Sequence, residues 1–255
     1  MVAPCRLVAA DGTGEVRLHF FTMTIGIMQP YFFPYIGYFQ LVRAVDAFVI
    51  YDNIQYSKRG WINRNRYLQN GKDAFFTLPL KSDSDVLNIS ERYLAASFEL
   101  DKEKLKRRIE AAYQKAPNFE QAYSLFAGCL DFPNHNLFDF LLNSLRCIND
   151  YLAIDTKLVI SSEIDQGPRL RGQQRVIALC KTLDAGGYMN PIGGLHLYDK
   201  HAFRQEGIHL SFIETRGVVY RQFENAFVPN LSILDVLMFN EIEQVHEMLK
   251  RYELR

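Results

Sequence analysis

The stretch IGIMQPYFFPYIGYFQLVRAVDAFVIYDNIQYSKRGWINRNR, residues 25–66, decides the fold of this chain. Its first apolar run, residues 25–28, predicts a buried strand that the following prolines end, because proline has no backbone N–H for a sheet ladder. Apolar residues at helical spacing follow from Gly37, and the run at residues 47–51 predicts a second strand. A strand, a helix and a strand within about thirty residues form a βαβ unit, whose two strands run parallel.

The rest of the chain extends this pattern. Later apolar runs predict further strands at residues 74–80, 157–160, 188–189 and 208–213. Before the strand predicted at residues 157–160, apolar residues recur at helical spacing. We therefore predict an α/β fold with a doubly wound, mainly parallel sheet and a helical insertion at about residues 97–152. Near the C-terminus, Ser232 predicts a helix N-cap, with Asp235 completing a variant capping box.

Polar and glycine residues follow the predicted strands, where ligands of such sheets gather. Gln29, Tyr35, Gly37 and Tyr38 follow the first strand, and Asp52 and Ser161 follow two others. Asp52 is the best candidate for a general base, and it is equally suited to capping the next turn.

The pair Gly193 and Gly194 follows a predicted strand as well. Two adjacent glycines let the backbone approach a ligand closely, and they are also common in a tight turn. We keep both interpretations and include the pair among the candidate binding residues.

The most basic segment is QYSKRGWINRNR, residues 55–66, which contains no acidic residue. Its candidate binding residues are Lys58, Arg59, Trp61, Asn63, Arg64 and Arg66. Guanidinium groups bind phosphate or carboxylate, and an indole ring stacks on a base or a sugar. The alternative is a solvated basic loop whose tryptophan is pinned into the core. The polar loop after the first strand favours a site for an anionic substrate such as a nucleotide or nucleotide sugar.

Composition limits the possible functions. The 255 residues are 48% hydrophobic and 23% charged, which is ordinary for a globular protein. Lysine plus arginine and aspartate plus glutamate number 29 each, so the net charge gives no basis for binding nucleic acid. No apolar run is long enough to span a membrane, and the four cysteines lack metal-ligand spacing. We expect a cytoplasmic protein with reduced thiols, no metal site and no cofactor that the sequence identifies.

The first 22 residues lack a continuous apolar segment of the kind found in secretion signals. Met23 stands directly before the first predicted strand and would make a natural start. We expect residues 1–22 to be a disordered extension and residues 23–255 to form a single domain.

Several motifs resemble the WbqC-like protein family. They are QPYFFPYIGYF at residues 29–39, DNIQYSKRGWINRN at residues 52–65, Gly193-Gly194 with Tyr198-Asp199, and LSILD at residues 231–235. The resemblance covers essentially residue 24 to the C-terminus. It implies a bacterial cytoplasmic protein encoded among genes for O-antigen or other surface polysaccharides. A transferase role, with glycine as the donated group, has been suggested for members of the family.

The layout of residues 34–46 is also similar to the nucleotidylyltransferase superfamily that includes pantothenate synthetase. In that superfamily an H-x-G-H motif opens the first helix and holds ATP phosphates, whereas Tyr35 and Tyr38 stand at both histidine places here. Tyrosine donates a hydrogen bond but is neutral near pH 7, so it does not supply the charge of an imidazolium. The four cations of residues 55–66 would have to replace that charge.

We predict an enzyme that transfers an acyl or aminoacyl group, with glycine as one candidate, onto a sugar or sugar nucleotide. Asp52, Tyr35 and Tyr38 are its candidate catalytic residues, the two tyrosines orienting the substrate. One alternative is an ATP-dependent ligase that forms an amide, and another is a non-catalytic nucleotide-sugar binding or scaffold protein. Convergence of Asp52, Arg64 and the Gly193-Gly194 segment on one pocket would favour the enzyme, and scattered positions would favour the scaffold.

Overall fold

The computed structural model describes residues 23–164 and 170–255. The strands are β1 (Thr24–Met28), β2 (Ala47–Ile50), β3 (Arg64–Gln69), β4 (Lys72–Thr77), β5 (Lys157–Ile160), β6 (Gly187–Pro191), β7 (His209–Thr215) and β8 (Tyr252–Leu254). The helices are α1 (Ile36–Ala44), α2 (Phe98–Tyr113), α3 (Phe119–Leu130), α4 (Leu137–Tyr151), α5 (Ser161–Ile164), α6 (Gly172–Thr182), α7 (Lys200–Gln205), α8 (Ile233–Phe239) and α9 (Ile242–Met248). The expectation for residues 1–22 lies outside the described residues.

The main sheet is doubly wound and mainly parallel, as predicted. Within the described residues it contains six strands in the order β5-β2-β1-β6-β7-β8, and only β8 runs antiparallel to its neighbour. The chain builds outward from β1 through β2 to β5, then returns to the other side of β1 with β6 and β7. The direction of winding therefore reverses between β1 and β6. In sheets of this kind that reversal opens a crevice beyond the carboxyl ends of the strands.

Alternate residues of the central strands face two separate cores. Ile25 of β1 and Val49 of β2 belong to the core that α6 and α7 cover. Phe48 and Ile50 of β2 belong to the larger core that α1 and the α2–α4 insertion cover. All four residues of β2 are buried, which explains why its sequence is a continuous apolar run rather than an alternating one.

The basic segment is not a loop throughout, because Arg64 begins strand β3. β3 pairs with β4 as an antiparallel hairpin outside the main sheet. Asn70 and Gly71 form the turn with φ values of 51° and 74°. Asn-Gly is the residue pair that a tight hairpin turn favours, because both positions tolerate positive φ. The hairpin carries the Arg66 side chain to the crevice of the main sheet.

The predicted helical insertion is present as α2–α4, between the hairpin and β5. Ser232 caps α8 as expected, and its Oγ accepts a hydrogen bond from the N–H of Leu234. Asp235 does not complete a capping box, because its buried carboxylate instead accepts hydrogen bonds from the Tyr113 and Tyr220 hydroxyls. Among the helices at residues 23–164 and 170–255, none has the length and apolar character needed to cross a bilayer.

Candidate functional site

A cleft of about 480 Å³ opens beyond the carboxyl ends of β1, β6 and β7. This is the position where the winding of the sheet reverses. The residues lining it are Tyr31, Tyr35, Gly37, Trp61, Asn65, Arg66, Pro191, Ile192, Gly193, Ile213, Glu214, Thr215 and Asn230. The volume lies within the range of small-molecule sites, and aromatic faces alternate with a small number of polar groups.

The loop after β1 is held in a strained shape. Phe33 is fully buried with φ at 46°, a conformation that L-residues with bulky side chains rarely adopt. Its carbonyl accepts hydrogen bonds from Asn65 Nδ2 at 2.8 Å and Ser232 Oγ at 2.7 Å. Two side chains from distant parts of the chain thus fix this backbone, and the loop presents Tyr31 and Tyr35 to the cleft. Strain of this kind persists only where surrounding contacts determine the conformation.

The ring of Tyr35 lies directly over Gly37. A Cβ atom at position 37 would come within 2.3 Å of Tyr35 Cε2 and 2.6 Å of Thr215 Oγ1. Glycine is therefore required for packing between α1, Tyr35 and β7, and the tyrosine ring covers the start of the helix.

The two tyrosines of the cleft are protonated at physiological pH. Burial raises the pKa of Tyr31 to about 12, with a further contribution from Tyr35. Burial likewise raises the pKa of Tyr35 above its ordinary value. Both phenols can therefore donate hydrogen bonds to a ligand, and neither supplies a base near neutral pH.

Arg66 and Trp61 form the part of the wall that comes from the hairpin region. The Arg66 guanidinium carbon lies 5.6 Å from the centre of the indole ring. Its Nη2 donates to the Asn230 carbonyl at 3.0 Å, and Nη1 pairs with Asp73 at 3.2 Å. Nε has no hydrogen-bond partner in the described part of the chain. Trp61 is 39% exposed and stacks on Phe75 with ring centroids 6.0 Å apart.

The other predicted cations do not line the cleft. Lys58 forms an exposed ion pair with Asp85, and the Arg59 side chain is exposed. Arg64 folds back on its own segment and donates from Nε and Nη2 to the carbonyls of Gly60 and Arg59. Of the four basic residues predicted to bind an anion, the structure thus brings only Arg66 to the cleft.

Asp52 and Ser161 lie at the ends of β2 and β5, outside the cleft lining. The Asp52 carboxylate is buried and accepts hydrogen bonds from Ser161 Oγ and the Ser162 N–H, each at 2.9 Å. Ser161 Oγ also contacts Asn53, whose Oδ1 accepts a hydrogen bond from Arg175. The Asp52 carboxylate is thus engaged at the start of α5 and not at the turn that follows Asp52 in the sequence.

Three further candidates, Gln29, Tyr38 and Asn63, make structural contacts and do not belong to the described cleft lining. Tyr38 is 1% exposed, burial raises its pKa well above the ordinary value, and its hydroxyl donates to the Gln29 carbonyl at 3.1 Å. Asn63 is buried, accepts a hydrogen bond from Tyr56 and donates one to the Leu78 carbonyl.

The two glycines after β6 have different roles. Gly193 lines the cleft, and a Cβ atom there would meet nothing within 4 Å. Gly194 packs against Asn190, whose Nδ2 would lie 1.9 Å from an added Cβ atom. Gly193 leaves open space in the cleft, whereas Gly194 is required for packing against Asn190.

Five polar or aromatic residues of the described cleft lining were not among the candidates of the sequence analysis, namely Tyr31, Asn65, Glu214, Thr215 and Asn230. Asn65 lies in the basic segment of residues 55–66. Tyr31 lies in the loop already singled out. Glu214 and Thr215 follow the predicted strand at residues 208–213, so the carboxyl-end rule would have found them had it been applied to that strand. Asn230 carries no such signal, because its position depends on contact with Arg66.

The described residues contain no cluster of three or more histidine, cysteine or carboxylate side chains able to hold a metal ion. Within its described lining, the cleft offers hydrogen-bonding groups, aromatic faces, one cation and one acid. This set can bind a polar ring that carries an anionic group.

Comparisons with known proteins agree with the motifs. The chain is 29% identical over 218 residues to "Uncharacterized protein Rv1507c" of Mycobacterium tuberculosis, covering 85% of this chain and 93% of that protein. No solved structure matches the chain. The family model of the WbqC-like protein family matches residues 29–247, a span that includes every described residue that lines the cleft. The chain therefore belongs to the WbqC-like protein family.

Proposed function

We propose that this protein binds a sugar nucleotide, or a related anionic sugar, in the cleft and transfers an acyl or aminoacyl group to it. We place this reaction in the cytoplasm, as a step of surface-polysaccharide biosynthesis. Membership of the WbqC-like family suggests a biosynthetic enzyme. The observation that carries the proposal is the composition of the cleft, which combines aromatic faces, amide and hydroxyl groups and the Arg66 guanidinium at the switch point of the sheet.

The aromatic side chains suit a sugar ring. Trp61 presents part of its ring to solvent, and stacking on Phe75 together with the nearby arginines holds it in place. Tyr31 and Tyr35 add phenol donors from the loop that follows β1. Rings of this kind pack on the apolar face of a sugar or base while their polar ends bind hydroxyl groups.

Arg66 supplies the anion-binding part of the proposal. Its pair with Asp73 is partly exposed, and such pairs contribute about 0–1 kcal/mol, so a phosphate can compete for the guanidinium. The unpartnered Nε leaves it with unused donor capacity, which a small rotation would direct to an anion.

A non-catalytic binding or scaffold protein is the second candidate. It is favoured by the positions of Asp52 and Arg64, which lie outside the cleft while Gly193 lines it. If the protein is an enzyme, its chemistry uses groups of the cleft itself rather than Asp52, whose carboxylate is occupied at the end of β5.

An ATP-dependent ligase has less support. Stabilising a departing pyrophosphate requires cations, and of the four basic residues expected to supply them only Arg66 lines the cleft. The second tyrosine of the Tyr-x-Gly-Tyr motif, Tyr38, is buried in the core. We therefore expect nucleotide sugars to bind and ATP with magnesium not to bind.

Titration calorimetry on the full-length protein tests this proposal with UDP-glucose, UDP-glucosamine, UDP-N-acetylglucosamine and ATP with magnesium as probes. Trp61→Ala should weaken nucleotide-sugar binding about tenfold, the effect typical of one lost stacking contact. Lys58→Ala is the matched control, because this exposed residue of the same segment does not line the cleft. Absence of binding by every nucleotide sugar, or equal effects of the two variants, would contradict the proposal.

Transfer is tested separately from binding. The bound nucleotide sugar is incubated with acyl-coenzyme A, or with a glycyl thioester, each of which releases its thiol on transfer, and the mass of the sugar is measured. A mass increase equal to one acyl or glycyl group that depends on Trp61 supports the transferase, whereas tight binding with no change in mass with either donor supports the binding protein.

A further inference from the structure

Glu214, at the end of β7, is the only acidic residue among the described residues that line the cleft. Its side chain is 22% exposed. Arg216 Nη2 and Arg255 Nε lie 2.9 and 2.8 Å from the same carboxylate oxygen, Oε2. Within the described residues no hydrogen bond or ion pair involves the other oxygen, Oε1. Glu214, a residue of the cleft wall, thus keeps a strong hydrogen-bond acceptor that the described residues leave available.

The two arginines hold this carboxylate without giving the region a net positive charge. Arg216 also pairs with Glu253, its Nε lying 3.4 Å from that carboxylate. Two arginines and two glutamates therefore balance, and the group adds no net charge that would repel a cation. The double contact at Oε2 fixes the orientation of Glu214, so that Oε1 is pre-organised for a ligand.

A carboxylate accepts hydrogen bonds and donates none, so its ligand partner must be a donor. An ammonium group offers three donors and a positive charge, whereas a hydroxyl offers one donor and no charge. An acetamido group also offers one N–H donor, but it carries no positive charge and adds an acetyl group that must be accommodated beside the carboxylate. The free amine is therefore favoured over both the hydroxyl and the acetamido group, because only the ammonium forms a hydrogen bond in which both partners are charged.

We infer that the cleft selects a sugar nucleotide with a free amino group, and that the amine donates to Oε1 of Glu214. The inference rests on the proposed function and adds the class of sugar to it. Arg66 would bind the phosphate and Glu214 the amine, so the one cation and the one acid of the described lining bind opposite charges of the same ligand.

The experiment measures the affinities of UDP-glucosamine, UDP-glucose and UDP-N-acetylglucosamine for the full-length protein by calorimetry. We expect UDP-glucosamine to bind about tenfold more tightly than UDP-glucose and UDP-N-acetylglucosamine, the effect of a charge-assisted hydrogen bond that only the free amine forms. Glu214→Gln should remove the preference for the amine. Glu253→Gln should preserve it, because Glu253 contacts the same arginine but does not line the cleft.

Each other outcome overturns a defined part of the reasoning. Equal binding of the three sugars by the wild-type protein would refute the inference and leave the proposed function standing. A preference that survives Glu214→Gln would show that this ion pair serves only to join β7 to Arg255. No binding of any nucleotide sugar would refute both the proposed function and the inference. The wild-type comparison decides the question even if Glu214→Gln fails to fold.

Discussion

Replacing Asp235 by alanine should destabilise this protein strongly, because the carboxylate is the shared acceptor of a buried network. Asp235 is 0% exposed and lies in α8, within the LSILD motif. It accepts hydrogen bonds from the Tyr113 hydroxyl, the Tyr220 hydroxyl and Gln222 Nε2, each at 2.7 Å. Tyr113 ends helix α2, so the network joins the helical insertion to the C-terminal part of the chain.

The magnitude follows from the number of hydrogen bonds that are lost. Asp235→Ala removes three hydrogen bonds, two of them from tyrosine hydroxyls and one from Gln222 Nε2, which keeps its bond to the Val228 carbonyl. Each lost bond costs about 1 kcal/mol or more, so the free energy of unfolding should fall by at least about 3 kcal/mol before any cavity term. For a chain of this size about 1 kcal/mol corresponds to 2–4 °C, so the Tm should fall by about 6–12 °C.

Urea denaturation followed by circular dichroism measures this change. The control is Asp139→Ala, which removes a solvent-facing hydrogen bond from Asn134 at the start of α4 and should cost about 1 kcal/mol or less. A loss below about 1 kcal/mol for Asp235→Ala would refute the reasoning, since it would mean that the donors find other partners.

The pH dependence provides a second check on Asp235. Burial raises the pKa of Asp235 above its ordinary value, and the hydrogen bonds from Tyr113, Tyr220 and Gln222 offset this only in part. A carboxyl group whose pKa is raised on folding contributes stability at low pH, and this is lost as the pH rises from about 3.9 through the raised value. The stability of the wild type relative to Asp235→Asn, which does not titrate, should therefore fall over that range. A difference that stays constant or grows with pH would contradict the assignment.

Arg66→Ala should weaken nucleotide-sugar binding about tenfold, whereas Arg64→Ala should leave it unchanged, because Arg64 is held by carbonyls outside the cleft lining; the reverse order in calorimetry would contradict the geometry. Gly37→Ala should displace the Tyr35 ring and lower the free energy of unfolding by about 1–3 kcal/mol, as measured in urea; an unaffected protein would mean that this ring moves freely. Deleting residues 1–22 should leave the melting temperature unchanged, because β1 begins at Thr24 and the family match at residue 29; a cooperative transition several degrees lower would refute this.

The strained loop explains why the LSILD motif and the hairpin accompany the QPYFFPY motif in one sequence. Ser232 of the LSILD motif and Asn65 of the hairpin strand β3 both donate hydrogen bonds to the Phe33 carbonyl. The N–H of Ile233 donates in addition to the Pro34 carbonyl at 2.8 Å. Motifs that are about 200 residues apart thus build one feature, the presentation of Tyr31 and Tyr35, and only the folded chain reveals that connection.

The amino-acid sequence by itself determined the doubly wound sheet, the helical insertion and the end of the sheet where the cleft lies. These follow from local signals, since apolar periodicity distinguishes strands from helices and parallel strands bring their carboxyl ends to one edge. Ser232 as a helix cap and Gly37 at the start of α1 were likewise readable from local chemistry.

The tertiary structure alone decided which polar side chains meet in the cleft. Arg64 and Arg66 are two residues apart on β3, yet one bonds to carbonyls of its own segment and the other lines the cleft. The Asp52 carboxylate accepts a hydrogen bond from the Ser162 N–H in α5, 110 residues away in sequence, while Glu214 brings an acid to the cleft wall. Side-chain direction depends on long-range packing and on competing hydrogen-bond partners, which spacing along the chain does not encode.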